Sequence, residues 1–334
     1  MDDDRLGVEL STVYAYASRG SLARRPGPDG RTSVYDADEV ELLARRARPR
    51  STRRRVGAVD VVIGTTVSEI GDGWIRYRGH DLLELITWAG FEDAARLLWT
   101  GEIAAGAAPP VPADRPAVVD AVGRVRAVLP PTASVGARMA AGAAAASAWI
   151  PRPTTQESSV EAASLVLDAL IASLPLVGEP ADPDATVAER LWPRLSPLAP
   201  THERVGVLDA TLVLLAEHEL ATSTLAVRVA ASTRAEPAEA VLAGLGTMSG
   251  PFHGRAAVQV HRRLVEGLGP ADTTPLAGFG HTVHRSGDPR FAPLLEGVRT
   301  IAAADRLEVI GRYVAPVRGA DPFNVDAALG ALGY

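Results

Sequence analysis

A mainly α-helical fold is predicted for this 334-residue chain, and three observations carry the prediction. Apolar residues recur at helical spacing in long segments, most clearly over 91–101, where Phe91, Ala94, Ala95, Leu97 and Leu98 share a face. Alternating segments, the mark of half-buried strands, are scarce after residue 80. Proline-rich breaks such as Pro109-Pro110-Val111-Pro112 and Pro130-Pro131 punctuate the helical stretches. With 47% hydrophobic residues, the chain can bury a large core and is expected to hold more than one domain.

Residues 6–48 read as a separate small module. Ser11 suits the N-cap of a helix over 12–17, and Gly20 suits its stop. A Gly27-Pro28-Asp29-Gly30 turn leads through Arg31-Thr32-Ser33-Val34-Tyr35, and Asp36 with Glu39 matches a capping box for a second helix reaching about Arg46. The module resembles the winged helix-turn-helix of the MerR or excisionase type, with 11–18 as recognition helix and 27–35 as wing. That resemblance implies contacts from Tyr14, Arg19, Arg24, Arg25 and Arg31 to nucleic-acid phosphates or base edges. Only residues 1–7 precede the recognition helix, so a basic accessory domain or an oligomerisation arm stays open as the other reading.

Charge follows the same division. Residues 1–55 hold twelve arginines against nine acidic residues, a net +3, while the remainder holds 22 basic against 31 acidic, a net −9. Seven of those arginines fall in 45–55, where 51–57 reads as a solvated linker. Every basic residue is arginine; the absence of lysine removes Schiff-base chemistry, pyridoxal phosphate attachment and the P-loop lysine. Absence of cysteine removes disulfides, thiolate zinc sites and thiol nucleophiles. The acidic Met1-Asp2-Asp3-Asp4 start has no apolar run behind it, and no segment has the length of a membrane span, so a cytoplasmic protein is expected.

Beyond the linker, 61–68 alternates weakly and is expected to supply short strands before a turn at Gly71-Asp72-Gly73. Helices are expected over 137–149, which is alanine-rich and suits close packing, over 159–174, and over 207–217, which is apolar around most of its circumference and so reads as buried.

Chemistry concentrates near the C-terminal end, in Gly250-Pro251-Phe252-His253-Gly254, Gly278-Phe279-Gly280-His281 and Asn324-Val325-Asp326. Each sets an imidazole or carboxylate beside small or turn-forming residues, where backbone comes close to a substrate. Singly, each also reads as an ordinary turn. Together they supply a base, a hydrogen-bond donor for a developing enolate and an electrophile for an acceptor carbonyl, a set that needs no metal.

In this order, and with the Tyr77-Arg78-Gly79 core of the 74–85 segment, the motifs resemble the citrate synthase family over most of 58–334. The resemblance implies a large helical domain over 58–252 and 321–334, a small CoA-side domain over 253–320, hinges near His253 and Pro322, and dimerisation through large-domain helices. It implies condensation of acetyl-CoA, or propionyl-CoA in a wider cleft, with oxaloacetate, followed by hydrolysis of the thioester. Asp326 would take the methyl proton, His253 would bind the thioester oxygen, and His281 would polarise the ketone and protonate the alkoxide. His218 and Arg290, the latter in Asp288-Pro289-Arg290, would bind oxaloacetate; a surface ion pair is the other reading of Arg290. Arg255 and Arg285 are the candidates for CoA phosphate. No cofactor is implied, since acetyl-CoA is a substrate. Arg78 and His80 are expected to be structural.

Ala221 stands where the family usually has asparagine, and Arg255-Ala256-Ala257 where it has Gly-Ala-Asn. The sequence given stops eight residues after Asp326, short of two further carboxylate-binding arginines in the family. Weaker hold on a dianion, a partner subunit that completes the site, or a ligand-sensing regulator of the N-terminal module are the expectations attached to that departure.

Overall fold

In a computed structural model of the chain, the structure describes residues 24–26, 33–35, 63–103, 111–217, 220–250, 256–269, 277–315 and 320–334. Two units separate, Met1–Ile63 and Gly64–Tyr334. In the first, strands β1 (Arg24–Pro26) and β2 (Ser33–Tyr35) pair antiparallel, with Arg24 opposite Tyr35 and Pro26 opposite Ser33. The helices expected over 12–17 and 36–46 lie outside the described residues, as do Tyr14, Arg19 and Arg31.

The second unit opens on an antiparallel sheet in the order β3 (Ser68–Gly71), β4 (Trp74–Tyr77), β5 (His80–Asp81). Asp72 and Gly73 form a two-residue hairpin turn, and Gly73 sits at φ 79°, where a side chain would be strained. The first strand begins at Ser68, later than the sequence suggests. The Thr65 hydroxyl accepts from the Val67 amide at 3.1 Å and bends the chain just ahead of it. Along β4, Ile75 and Tyr77 are buried and Trp74 and Arg76 face outward, the period-two pattern of a sheet with one covered face.

Helices follow: α1 (Leu82–Leu85), α2 (Phe91–Thr100), α3 (Arg115–Val128), α4 (Val135–Ser147), α5 (Gln156–Ser173), α6 (Val187–Leu195), α7 (His202–Leu215), α8 (Thr222–Ser232), α9 (Pro237–Met248), α10 (Ala256–Glu266), α11 (Phe291–Ile301), α12 (Ala304–Tyr313) and α13 (Val325–Gly333). Their starts are written in the sequence. Asp81, Ser134, Thr155, Thr186, Thr201 and Asn324 each accept a first-turn amide with the side chain, and α2 ends on Gly101 at φ 82°. Among the described residues, no strand follows β5 except a single antiparallel bridge between Phe279 and Phe323.

Two cores result. One joins α3, α4, α5 and α9 around Val118, Val122, Ala146, Leu165 and Ala169. Small residues set its spacing: a Cβ on Gly142 would lie 2.6 Å from Ser173 Cβ, so α4 and α5 touch backbone to side chain. The other core packs Ile75, Tyr77, Leu97, Val213, Leu214, Val260, Leu294 and Val325 between the sheet and helices α2, α7, α10, α11 and α13. Ala277, just ahead of the second motif, and Val325, within the third, belong to this second core; of the first motif, 251–254 lie outside the described residues. No described helix is long and apolar enough to cross a membrane.

Candidate active site

His281 ends a loop whose shape glycine permits. Gly278 and Gly280 adopt φ 83° and 71°, and a Cβ on Gly278 would approach Ala327 Cβ to 2.9 Å. The loop is tied to the chain entering α13: Gly280 N donates to Pro322 O at 2.8 Å, Asn324 N to Gly278 O at 2.9 Å, and Asn324 Nδ2 to Gly280 O at 2.8 Å. Phe323 stacks between Phe279 and Phe291, with ring centroids at 4.2 and 5.0 Å. Backbone and side chain thus hold the histidine loop against the helix that carries Asp326.

The tautomer of His281 follows from its neighbours. Its Nδ1 accepts from the amides of Val283 at 3.2 Å and His284 at 3.1 Å; amides only donate, so Nδ1 is bare and the neutral ring carries its proton on Nε2. His284 stacks on this ring at 4.7 Å, is 2% exposed, and has a buried Nδ1 with no partner among the described residues.

Asp326 lies in the first turn of α13, where Asn324 Oδ1 accepts its amide at 3.0 Å. Burial pushes its carboxyl above the ordinary range, while Arg290 and an amide hydrogen bond from Ala257, at the start of α10, pull against that rise. Residue 257 lies four positions after His253.

Arg290 is not a surface arginine. It is 3% exposed and grips Asp288 side-on, Nε to Oδ1 at 2.9 Å and Nη2 to Oδ2 at 2.8 Å; Asp288 Oδ2 also accepts the Val325 amide at 3.1 Å. Burial pushes the Asp288 carboxyl up, but the Arg290 contacts outweigh it and hold the group below its ordinary value. The pair therefore remains ionised and fastens the start of α13 from below. Arg285 is exposed in the same loop.

The sequence attaches no role to several residues that build this place. Tyr77 is fully buried; its hydroxyl donates toward Glu217 O at 2.9 Å, accepts the Glu217 amide at 3.1 Å, and so fixes the chain directly before His218. Arg78, expected to be structural, is so: Nη2 donates to Leu98 O at 2.9 Å, at the end of α2. His284 and Asp288 carry a signal in sequence only as neighbours of motif residues. His218, His253 and Arg255 lie outside the described residues, and of Arg24 and Arg25 only the strand backbone is described. Among the described residues, no three His, Asp or Glu side chains gather as a metal site.

The family model described as citrate synthase, C-terminal domain, matches residues 56–314. The chain belongs to the citrate synthase family. Six of the expected site residues, His218, His253, Arg255, His281, Arg285 and Arg290, fall within the match; Asp326 lies beyond it. A Mycobacterium tuberculosis protein provisionally named citrate synthase 2 is 31% identical over 263 residues, covering 71% of this chain. The chain spans 66% of that relative's length. The 2-methylcitrate synthase of Shewanella oneidensis is 27% identical over 268 residues, covering 72% of this chain and 70% of its own. Among solved structures, the citrate synthase from Pyrobaculum aerophilum aligns with a TM-score of 0.62 at 21% identity over 81% of this chain and 79% of that one. The Thermoplasma acidophilum citrate synthase, solved as a ternary complex with carboxymethyl coenzyme A and oxaloacetate, aligns with a TM-score of 0.60 at 22% identity over 82% and 87%. At such identities the alignments speak for the citrate synthase fold.

Proposed function

We propose that this chain is a citrate synthase-type acyltransferase that condenses acetyl-CoA with oxaloacetate to citrate and CoA. Family membership and fold support the reaction class. The observation that carries the residue roles is that His281 and Asp326 stand on two segments laced to each other, one offering a proton on Nε2 and the other a carboxylate made more basic by burial. A base for a carbon acid gains from a raised pKa, because its proton affinity moves toward that of the substrate. Asp326 takes a proton from the acetyl methyl group, and His253 donates a hydrogen bond to the thioester oxygen as enolate charge builds. The enolate carbon attacks the ketone carbon of oxaloacetate, whose oxygen takes the Nε2 proton of His281. Water then cleaves the thioester and releases CoA.

Arg290 is engaged by Asp288 through Nε and Nη2, so it meets a substrate carboxylate through its Nη1 edge, with His218 as the second oxaloacetate contact. Arg255 and Arg285 take CoA phosphates. The site closes between a large domain, 58–252 with 321–334, and a small one, 253–320, in a dimer formed through the large domains. Propionyl-CoA is the competing acyl donor, favoured by the long match to a 2-methylcitrate synthase.

Thiol release from acetyl-CoA and from propionyl-CoA, with and without oxaloacetate, tests the proposal, and a cysteine-free chain gives no background in a thiol assay. Oxaloacetate-dependent release is expected, and the faster donor names the product. No release from either donor at millimolar substrates overturns it.

A second reading belongs to residues 1–50 alone. With the arginine-rich linker behind them, residues 1–55 carry twelve arginines against nine acidic residues, which suits duplex DNA, and salt-dependent binding lost in Arg24→Ala with Arg25→Ala is its expected signature; no binding at low salt defeats it.

A further inference from the structure

Outside the candidate active site, four arginines from two helices converge on the C-terminal end of α5 (Gln156–Ser173): Arg115 and Arg126 from α3, Arg190 and Arg194 from α6. One buried carboxylate, Asp168, sits among them, 2% exposed, accepting from Arg115 Nε at 2.7 Å and from Arg190 Nη1. Asp184 reaches Arg115 at 3.4 Å from a side chain that is mostly in solvent. Arg126 and Arg194 find main chain instead: Arg126 donates to Ala172 O and Leu174 O, and Arg194 also donates to Leu174 O.

Capping accounts for one of these cations and not for two. A helix C-terminus presents about half a negative charge, and a single guanidinium satisfies it. Here two guanidiniums share the terminus with two more beside them, so four positive charges face one buried carboxylate, the solvent-exposed Asp184 and a half charge. The strain is visible at Arg194. Burial, with repulsion from Arg126 and Arg190, pulls its pKa down to about 10, and its Nε is buried with no partner among the described residues. A cavity of about 160 Å³ opens on this surplus, lined by Arg115, Arg190 and Arg194 with the already paired Asp168, and by apolar residues that include Val119, Ile171 and Leu176. At roughly 30 Å³ per water, it has room for about five waters.

We propose that this cavity is a binding site for a small, multiply charged oxyanion, a phosphate group or a compact di- or tricarboxylate, held by Arg194 with Arg115 and Arg190. Planar guanidiniums with unused N–H edges match such oxygens in pairs. A bound anion bridges α3 and α6 across the end of α5 and neutralises the surplus that the fold leaves there. The apolar wall favours a carboxylate with a short carbon body; a phosphate would use the arginine side alone. This site stands or falls independently of the condensation chemistry.

Thermal unfolding and calorimetric titration of the whole protein test it, with inorganic phosphate and tricarballylate as probes and sodium chloride at matched ionic strength as control. A saturable rise in Tm beyond that of chloride is expected for at least one probe, with the stronger probe naming the source. Binding should weaken at least tenfold in Arg194→Gln and, as a second variant should that one fold poorly, in Arg190→Gln, while His281→Gln binds like the parent. Absence of any probe-specific shift in the parent protein overturns the proposal. So does a shift that survives both arginine variants, or one lost in His281→Gln, which would put the anion in the active site.

Discussion

Asp326 and Asp288 are two carboxylates on adjoining segments that burial pushes the same way and neighbours push apart. For Asp326, burial wins and the pKa is raised; for Asp288, burial is outweighed by the Arg290 contacts and the pKa is lowered. Different consequences follow from the signs. A folded pKa above the unfolded one means that the contribution of Asp326 to stability is full below its unfolded value and is lost as pH rises through its folded value. Asp326→Asn should therefore unfold no more readily than the parent at pH 8, while thiol release falls about a thousandfold, as for a lost general base. Urea midpoints alongside kcat check both halves, and unchanged kcat removes Asp326 from the mechanism. Asp288 behaves in reverse: its contribution is present above its unfolded pKa and disappears as pH falls through its folded one. Asp288→Asn leaves Arg290 buried without its counter-charge, an expected loss of about 3–5 kcal/mol at pH 7 that shrinks toward strongly acid pH. Equal loss at pH 7 and in acid would show that charge is not the cause.

Between elements, the histidine loop and α13 depend on the absence of side chains where they meet. Gly278 is at φ 83° with Ala327 behind it, and a Cβ on Gly330 would lie 2.5 Å from Val260 of α10, so α10, α13 and the loop pack at glycine distance. Gly278→Ala combines a left-handed backbone penalty of roughly 1–2 kcal/mol with displacement of α13. The expected result is a lower denaturation midpoint together with a raised KM for oxaloacetate, because His281 moves with the loop; a loss of stability with kinetics intact would separate the loop from the site. At this scale the sequence is a good guide to helices and a poor one to their partners. The patterns at 91–101, 137–149 and 159–174 predict α2, α4 and α5 to within three residues at each end, because apolar spacing is local, whereas α7 starts five residues ahead of the expected 207, at the cap Thr201 that apolar spacing does not register. Of the segment 61–68, the described residues 63–67 are not strand and the strand begins at Ser68, since the Thr65 bend that delays it looks like more strand when only β-branched residues are counted.

For the whole molecule, what sequence carries least is the identity of long-range partners. Tyr77 and Glu217 meet across 140 positions, and Arg115 and Asp168 across 53, with no local pattern to announce either. The candidate catalytic motifs are legible because each puts its chemistry and its turn-forming residues side by side; the latching of the His281 loop to Asn324 through Gly280 is not, because it joins two such motifs. Assembly is a property of the same order. The helices α4, α8 and α9 pack together, and Val135, Val229 and Met248 on them remain 61%, 57% and 51% exposed. Sedimentation is expected to give twice the 34.9 kDa chain mass, and a monomer at micromolar concentration would count against assembly through these helices. One further tie reaches from end to end of the second unit. Asp72, in the hairpin turn, accepts from Ser286 through both its amide at 2.9 Å and its hydroxyl at 2.8 Å. The hairpin and the histidine loop, more than 200 positions apart, are therefore expected to open together. In amide exchange, the Ser286 proton should leave at the pace of the 68–77 hairpin, and Asp72→Ala should quicken both, making this turn a brake on the loop that carries His281.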